Sequence, residues 1–175
     1  KNPFSLKNKN ILITGASSGI GRQCAITISQ LGANIILIAR NKERLKATFN
    51  KLKKGNHLII SQDITKYEKL EEVVNTAVNK LGRISGFVHS AGIEMTLPLR
   101  SIQPSYYEEI FSVNVIAGFE LAKIISKKKY LDGDGASFIF ISSVMGILGQ
   151  PGKVAYCSSK GALVVMPTTN TINKH

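Results

Sequence analysis

The chain has 175 residues, of which 43% are apolar and 19% are charged. This is the composition of one globular domain with a sizeable core, and it excludes disordered and fibrous classes. No apolar run reaches the roughly 18 residues that cross a bilayer, so we expect no membrane partner. The basic, polar start lacks an apolar segment behind it, which predicts no signal peptide. Because two cysteines, Cys24 and Cys157, suggest no disulfide framework, we expect a cytoplasmic protein.

The net charge is strongly positive, with 23 Lys and Arg against 11 Asp and Glu, giving +12. Such a balance fits an anionic partner (nucleic acid, an acidic protein or phosphate groups) or a solvated basic surface. The chain contains no recognisable nucleic-acid motif, and its aromatic residues are not interleaved with the basic clusters. We therefore predict no nucleic-acid partner, and we predict no metal site.

Short β-branched runs alternate with segments of helical periodicity along the chain. Strands are predicted at 10–14, 34–39, 57–61, 85–90 and 137–142, with a helix after each. Thr65 and Glu68 have capping-box spacing, and Pro104 begins a long predicted helix. This alternation predicts an α/β fold, a doubly wound parallel sheet in three α/β/α layers. Ligands of such sheets bind at the carboxyl ends of the strands.

A glycine-rich turn, Thr14-Gly15-Ala16-Ser17-Ser18-Gly19-Ile20-Gly21, joins the first predicted strand to a helix. Glycines allow a tight turn and close approach to a ligand. The helix N-terminus offers free N–H groups and positive potential to a pyrophosphate. Glycines can also serve a strand-to-helix turn without any ligand. The strand–turn–helix context nevertheless favours dinucleotide binding.

The spacing Thr14-Gly15-x-x-x-Gly19-Ile20-Gly21 resembles the cofactor turn of the short-chain dehydrogenase/reductase family. A dinucleotide site usually has an acidic residue about 20 residues further on, which binds the ribose hydroxyl. Here Ala39 and Arg40 stand at that position, so no carboxylate would repel a 2′-phosphate and a guanidinium could pair with it. The alternative is that Arg40 merely begins the next helix in solvent. We predict NADP (NADPH) rather than NAD, with Ser17 and Ser18 as further hydroxyl donors.

The resemblance implies further cofactor contacts at the ends of the third and fourth strands. Asp63 matches the family position that meets the adenine amino group, and Ile64 follows it. Ser90-Ala91-Gly92 stands where the family usually has Asn-Ala-Gly, so Ser90 lacks the amide that normally bridges neighbouring loops. Ala91 and Gly92 still permit close backbone approach to the cofactor.

Tyr156 and Lys160 lie four residues apart on a predicted helix and therefore share one face. A free phenol has a pKa of about 10, and a neighbouring ammonium favours the phenolate that acid–base chemistry needs. Alone, this spacing is usually a surface pair. In the family, however, Tyr and Lys act with a Ser that binds the substrate oxygen and with an Asn that supports a proton-relaying water. Ser143 and Asn114 match these positions; Ser142 is the alternative to Ser143, and a helix-kinking Asn is the alternative for Asn114.

The resemblance implies an oxidoreductase that transfers a hydride between NADP(H) and a small carbonyl or alcohol substrate, with Tyr156 as the acid. A reductase of 3-oxoacyl thioesters on acyl carrier protein is the specific expectation, because such carriers are acidic. The alternative is a non-catalytic NADP-binding regulatory protein on the same Rossmann fold. We also expect a homodimer or homotetramer.

We predict a single domain over 1–175. We expect this domain to be incomplete, because folds of this family run to roughly 250 residues. Pro167 is unsuited to continue the helix that begins near Tyr156, since proline lacks a donor and clashes with the preceding turn. We therefore expect the C-terminal part of the fold to be missing from this sequence, either by truncation or by omission of segments.

Overall fold

The computed structural model describes residues 2–165. Its centre is a parallel five-stranded sheet in the order β3-β2-β1-β4-β5. The strands are β1 (Asn10–Thr14), β2 (Asn34–Ala39), β3 (Leu58–Ser61), β4 (Gly86–His89) and β5 (Ser137–Phe140). The order of strands reverses between β1 and β4. These two strands pair with each other, and Thr14 lies opposite His89. The predicted parallel sheet is confirmed.

Seven α-helices connect or flank these strands in the described residues. They are α1 (Gly19–Gln30), α2 (Lys42–Phe49), α3 (Leu70–Leu81), α4 (Pro104–Phe111), α5 (Ala117–Ile125), α6 (Met145–Leu148) and α7 (Val154–Val164). No helix within 2–165 is long and apolar enough to cross a membrane. The predicted helix break at Pro167 lies outside the described residues.

Two apolar clusters cover the two faces of the sheet and account for the three-layer architecture. On one face, Leu12, Ile36 and Phe87 pack with α3 and α5. On the other, Ile13 and Leu37 pack with α1 and α2. Successive residues of a strand alternate between the two clusters, and both faces are buried, which is why β1 and β2 read as continuous apolar runs.

One local prediction is wrong, and another needs refinement. Thr65 does not form a capping box with Glu68, because both its backbone N–H and its hydroxyl donate to Asp63 Oδ1, at 3.0 and 2.8 Å. A 3₁₀ turn, Tyr67–Lys69, precedes α3 instead. The long helix predicted from Pro104 is confirmed, because helical backbone runs without a break from Pro104 to Ile125, but its middle, Ser112–Ile116, is a π-helical turn between α4 and α5.

Candidate functional site

A cavity of about 570 Å³ lies at the carboxyl ends of the strands, where the chain order reverses. Loops that follow β1, β2, β3, β4 and β5 all contribute to it. Parallel α/β sheets bind ligands at this position. The structure brings most of the predicted site residues to its walls: Gly15, Ser17, Ser18, Gly19, Ile20, Arg40, Asp63, Ile64, Ser90, Ala91, Gly92, Tyr156 and Lys160.

The glycine turn is shaped by close backbone contacts. Gly15 has a φ of +67°, and a Cβ built on it would lie 2.7 Å from the Ala91 backbone nitrogen. A Cβ on Gly21 would fall on the Gly15 carbonyl oxygen. Gly21 is therefore buried beneath the turn and does not line the cavity, so its place among the cofactor contacts stays a prediction.

The N-terminus of α1 faces the cavity. Its N-cap residue, Ser18, forms no side-chain capping bond, which leaves the first N–H groups of the helix available to a ligand. The Arg22 guanidinium stabilises the glycine turn. It donates to the Ser17 carbonyl and, at 3.2 Å, to Thr48 Oγ1 on α2. The arrangement suits an anionic group such as a phosphate.

Two guanidinium groups line the cavity beside β2. Arg40 follows the strand, and Arg44 lies in the first turn of α2, where its N–H is capped by Asn41 Oδ1 at 2.8 Å. Both arginines are exposed, so their side chains can reach a ligand. Arg44 was not predicted as a site residue.

Asp63 follows β3, the strand that pairs with β2, and therefore lies near Arg40 at the cavity wall. Burial acts to raise the pKa of its carboxyl, but hydrogen bonds from Thr65 and the charges of Arg40 and Lys66 outweigh burial and lower it. The carboxylate is therefore ionised at neutral pH and presents an acceptor to the cavity.

Tyr156 and Lys160 reach the cavity from α7. Lys160 is only 6% exposed, and its Nζ donates to the Ile141 carbonyl at 2.7 Å. This Nζ lies 5.8 Å from the centre of the Tyr156 ring, so the predicted pairing on one helix face is present. Burial lowers the pKa of the Lys160 ammonium, and the nearby phenol is thus beside a weakly solvated positive charge.

Asn114 lies in the π turn, fully buried and outside the cavity lining. Its Oδ1 accepts from the Ile93 N–H at 2.8 Å, and its Nδ2 donates to the Ile93 carbonyl and to Ser159 Oγ, each at 3.0 Å. A Cβ on Gly92 would lie 3.4 Å from both Asn114 Oδ1 and Lys160 Nζ. Asn114 therefore ties the loop after β4 to α7 close to the lysine.

The two serines after β5 play different parts. Ser142 lines the cavity and donates to the Lys160 carbonyl at 2.8 Å. Ser143 does not line the cavity, and its Oγ accepts from the Met145 N–H at 3.2 Å at the start of α6. Its assignment as the residue that binds the substrate oxygen stays a prediction.

Sequence reasoning missed several residues of the cavity wall. They are Ile38, Ala39, Asn41, Arg44, Gln62, Ile93, Glu94, Val113 and Ile141. Most of them adjoin a predicted residue at a strand end, so extending each predicted contact by one or two neighbours would have found them. Arg44 needed the further step of placing the first turn of α2 beside Arg40.

The residues of this cavity fit a dinucleotide. The glycine turn and the uncapped α1 N-terminus suit a pyrophosphate, and the volume accommodates an extended ligand. No group of three His, Cys, Asp or Glu side chains within residues 2–165 is arranged to hold a metal ion.

Comparisons with known proteins agree with this geometry. A sequence model of the short chain dehydrogenase family matches residues 9–172. The chain is 36% identical over 164 residues to a 3-oxoacyl-[acyl-carrier-protein] reductase of Rickettsia prowazekii, covering 93% of this chain and 65% of the relative. It is 30% identical over 163 residues to an uncharacterized oxidoreductase of Listeria monocytogenes, covering 91% and 65%. The chain thus spans about two thirds of the length of these relatives.

A solved structure supports the same assignment. The short-chain type dehydrogenase/reductase from Mycobacterium marinum superposes with a TM-score of 0.85 at 29% identity, covering 92% of this chain and 67% of that one.

Proposed function

The chain belongs to the short-chain dehydrogenase/reductase family, and from this we propose that it is an NADP(H)-dependent oxidoreductase of carbonyl and alcohol substrates. The observation that carries the proposal is that Tyr156 and Lys160 share the cavity with the glycine turn. A bound nicotinamide cofactor supplies or accepts the hydride. Within 1–175 we assign cofactor binding and acid–base chemistry to a single domain.

The chain's own residues manage the proton. The Tyr156 hydroxyl donates a proton to the carbonyl oxygen, and the Ser143 hydroxyl donates a hydrogen bond to the same oxygen. The Lys160 ammonium favours the phenolate that remains on Tyr156. Asn114 holds the loop at Ile93 against α7 and keeps Lys160 in its place.

The assay for this function follows NADPH consumption by the natural full-length chain with a panel of ketones, aldehydes and 3-oxoacyl thioesters. Consumption with at least one carbonyl class is expected. Tight NADPH binding without NADPH consumption in the presence of any carbonyl would contradict the proposed oxidoreductase activity. It would favour the alternative of a non-catalytic NADP-binding protein.

A preference for NADP over NAD is supported by Arg40 and Arg44, which line the cavity without a carboxylate at the end of β2. Charge-assisted hydrogen bonds to a phosphate contribute about 1.5–3 kcal/mol. Arg40→Ala should therefore weaken NADPH binding by about tenfold or more and leave NADH binding unchanged. Lys42→Ala is the matched control, because this cation lies between the arginines in sequence and does not line the cavity. Equal losses for both cofactors would argue against the preference.

The substrate proposal is a 3-oxoacyl group on acyl carrier protein. It is supported by the net charge of +12 and by the similarity to the Rickettsia prowazekii reductase. An acidic carrier bound by a basic surface should lose affinity with salt, because exposed charges are screened. The KM for the carrier-bound substrate should rise with ionic strength, whereas the KM for a small thioester should change little. Parallel salt dependence would contradict a carrier-specific surface.

The assembly and location proposed are a homodimer or homotetramer in the cytoplasm. Light scattering of the full-length chain and cell fractionation test these two statements, and a monomer or a membrane fraction would contradict them.

A further inference from the structure

His89 is a buried titratable side chain that the proposed chemistry does not use. It ends β4, is 1% exposed and does not line the cavity. Both ring nitrogens are nevertheless hydrogen-bonded. Nδ1 lies 2.9 Å from Thr14 Oγ1 at the start of the glycine turn, and Nε2 lies 3.2 Å from the Val113 carbonyl in the π turn.

The partners define the tautomer of this ring. A carbonyl can only accept, so Nε2 carries the proton and donates to Val113. Nδ1 must then accept from the Thr14 hydroxyl, which itself accepts from the Ala91 N–H at 3.3 Å. Burial lowers the pKa of His89 to about 4, with backbone hydrogen bonds opposing the shift and the Lys160 charge adding to it. The ring is therefore neutral at physiological pH.

The bond to Val113 acts on the one segment of the long helical region with π geometry. A π turn interrupts the regular hydrogen bonding of the helix and can kink it, and such turns are frequent at functional sites. The next residue is Asn114, whose side chain bonds Ile93 and Ser159. Ser159 Oγ in turn donates to the Tyr156 carbonyl at 2.8 Å. These hydrogen bonds, together with the peptide link between Val113 and Asn114, connect the glycine turn to α7.

Packing restricts the ring to this position. A Cβ on Gly118 would lie 2.7 Å from His89 Cδ2 and 2.8 Å from Cγ. The absence of a side chain at Gly118 is what admits the imidazole between β4 and α5. The rings of Phe87 and Phe140 flank it at centroid distances of 6.1 and 5.7 Å.

We propose that His89 is a positioning residue, which acts through the Val113 carbonyl to hold the Asn114 amide against Ile93 and α7. The inference rests on the proposed oxidoreductase function for its kinetic consequence, but not for its structural one. Since a small misplacement of reacting groups can cost about 10²-fold in rate, displacement of Asn114 is expected to lower kcat.

A matched pair of substitutions separates the two contacts of the ring. In His89→Asn the amide reaches the place of Nδ1, which keeps the Thr14 contact and removes the Val113 contact. In His89→Gln the amide reaches the place of Nε2, which keeps the Val113 contact. Asparagine is one methylene shorter than glutamine and leaves more space beside Gly118, so the free energy of unfolding of both variants is measured to separate general loss of packing from loss of the Val113 contact.

The experiment measures kcat, KM, NADPH affinity and amide hydrogen exchange at Ile93 in the natural full-length protein. His89→Asn should lower kcat by about 10-fold or more, with KM and NADPH affinity unchanged, and should accelerate exchange at Ile93. His89→Gln should keep the wild-type kcat, and amide exchange at Ile93 should stay as slow as in the wild type. Equal kcat in the two variants and the wild type, or equal loss in both, would overturn the proposal.

The exchange measurement keeps this test independent of the proposed function. If the wild type reduces no carbonyl, the oxidoreductase proposal fails, but faster Ile93 exchange in His89→Asn alone still supports the positioning role. Unchanged Ile93 exchange in both variants overturns that role whether or not the protein is active.

Discussion

The two ends of β1 carry buried polar residues of similar kinds but with different surroundings. At the amino end, Asn10 Nδ2 donates to the carbonyls of Leu81 and Arg83, at 2.7 and 2.9 Å, and Asn10 Oδ1 accepts from Asn34 at 2.9 Å. At the carboxyl end, Thr14 bonds His89 next to the cavity. The amino-end groups bind loops to one another, whereas the carboxyl-end groups support the wall of the cavity.

This difference shows why residue type alone does not reveal a site. The side chains at both ends are satisfied, since no buried side-chain N or O within residues 2–165 lacks a hydrogen-bond partner. What distinguishes the carboxyl end is that helix N-termini and glycine backbone converge there. Substitutions at the carboxyl end should therefore change cofactor binding or rate, whereas those at the amino end should change stability alone.

The largest effect on stability is expected from acid and involves the carboxyl end. His89 has a pKa of about 4 when folded and an ordinary value near 6.5 when unfolded, so the unfolded state binds more protons between these values. Stability is therefore fully present above pH 6.5 and is lost as the pH falls to about 4, by about 3 kcal/mol. Urea unfolding of the wild type and His89→Gln across this range measures the difference. Parallel pH profiles of the free energy of unfolding in the two proteins would contradict the lowered pKa of His89.

A slightly smaller effect is expected from Gly21→Ala. The new methyl group would meet the Gly15 carbonyl, and such overpacking costs about 1–3 kcal/mol. Because the glycine turn must shift, NADPH affinity should fall along with thermal stability. Gly133→Ala is the control, since nothing lies within 4 Å of a Cβ there. Full NADPH affinity in Gly21→Ala would show that the turn tolerates displacement.

At the amino end, Asn10→Ala should lower the free energy of unfolding by about 1–2 kcal/mol, because the partly buried hydrogen bonds from Asn10 to the Leu81 and Arg83 carbonyls are lost. NADPH affinity, measured by titration, should stay unchanged. A loss of NADPH affinity beyond that explained by unfolding would remove the distinction between the two ends.

The smallest effect on stability is expected from the partly exposed ion pairs near the amino end of β1. Lys9 pairs with Asp132 and Asp134 at 3.3 and 3.4 Å in a partly exposed position. Surface ion pairs contribute about 0–1 kcal/mol, so Lys9→Gln should lower stability by less than Asn10→Ala does. Lys46→Gln, which removes the exposed pair with Glu43, is the matched control. A loss with Lys9→Gln above that of Asn10→Ala would contradict this ranking.

The sequence predicts those features that depend on local pattern. The apolar runs at 10–14 and 34–39 are buried on both faces, and strong periodicity places their strands correctly. The π turn could not be predicted, because the contact between His89 and Val113 that accompanies it joins residues far apart in the chain. The capping box predicted at Thr65 is wrong for a different reason, because the nearby Asp63 accepts from both the Thr65 backbone N–H and its hydroxyl.

The candidate site shows the same division. The glycine spacing indicates the turn, and the spacing of Tyr156 and Lys160 indicates a shared helix face. Sequence alone could not decide which of Ser142 and Ser143 faces the cavity, because β5 ends at Phe140 and the backbone then turns into α6. Arg44 depended on how α2 lies beside the end of β2.

NADPH turnover and NADPH binding in the wild type and in Tyr156→Phe together test whether the carboxyl-end cavity is the catalytic site. The variant removes one hydroxyl from the cavity wall and leaves the glycine turn untouched. Loss of a positioned general acid lowers rates by about 10²–10⁴-fold, so carbonyl reduction should fall by this factor while NADPH affinity stays unchanged. Full turnover by Tyr156→Phe would contradict the assignment of the carboxyl-end cavity as the catalytic site.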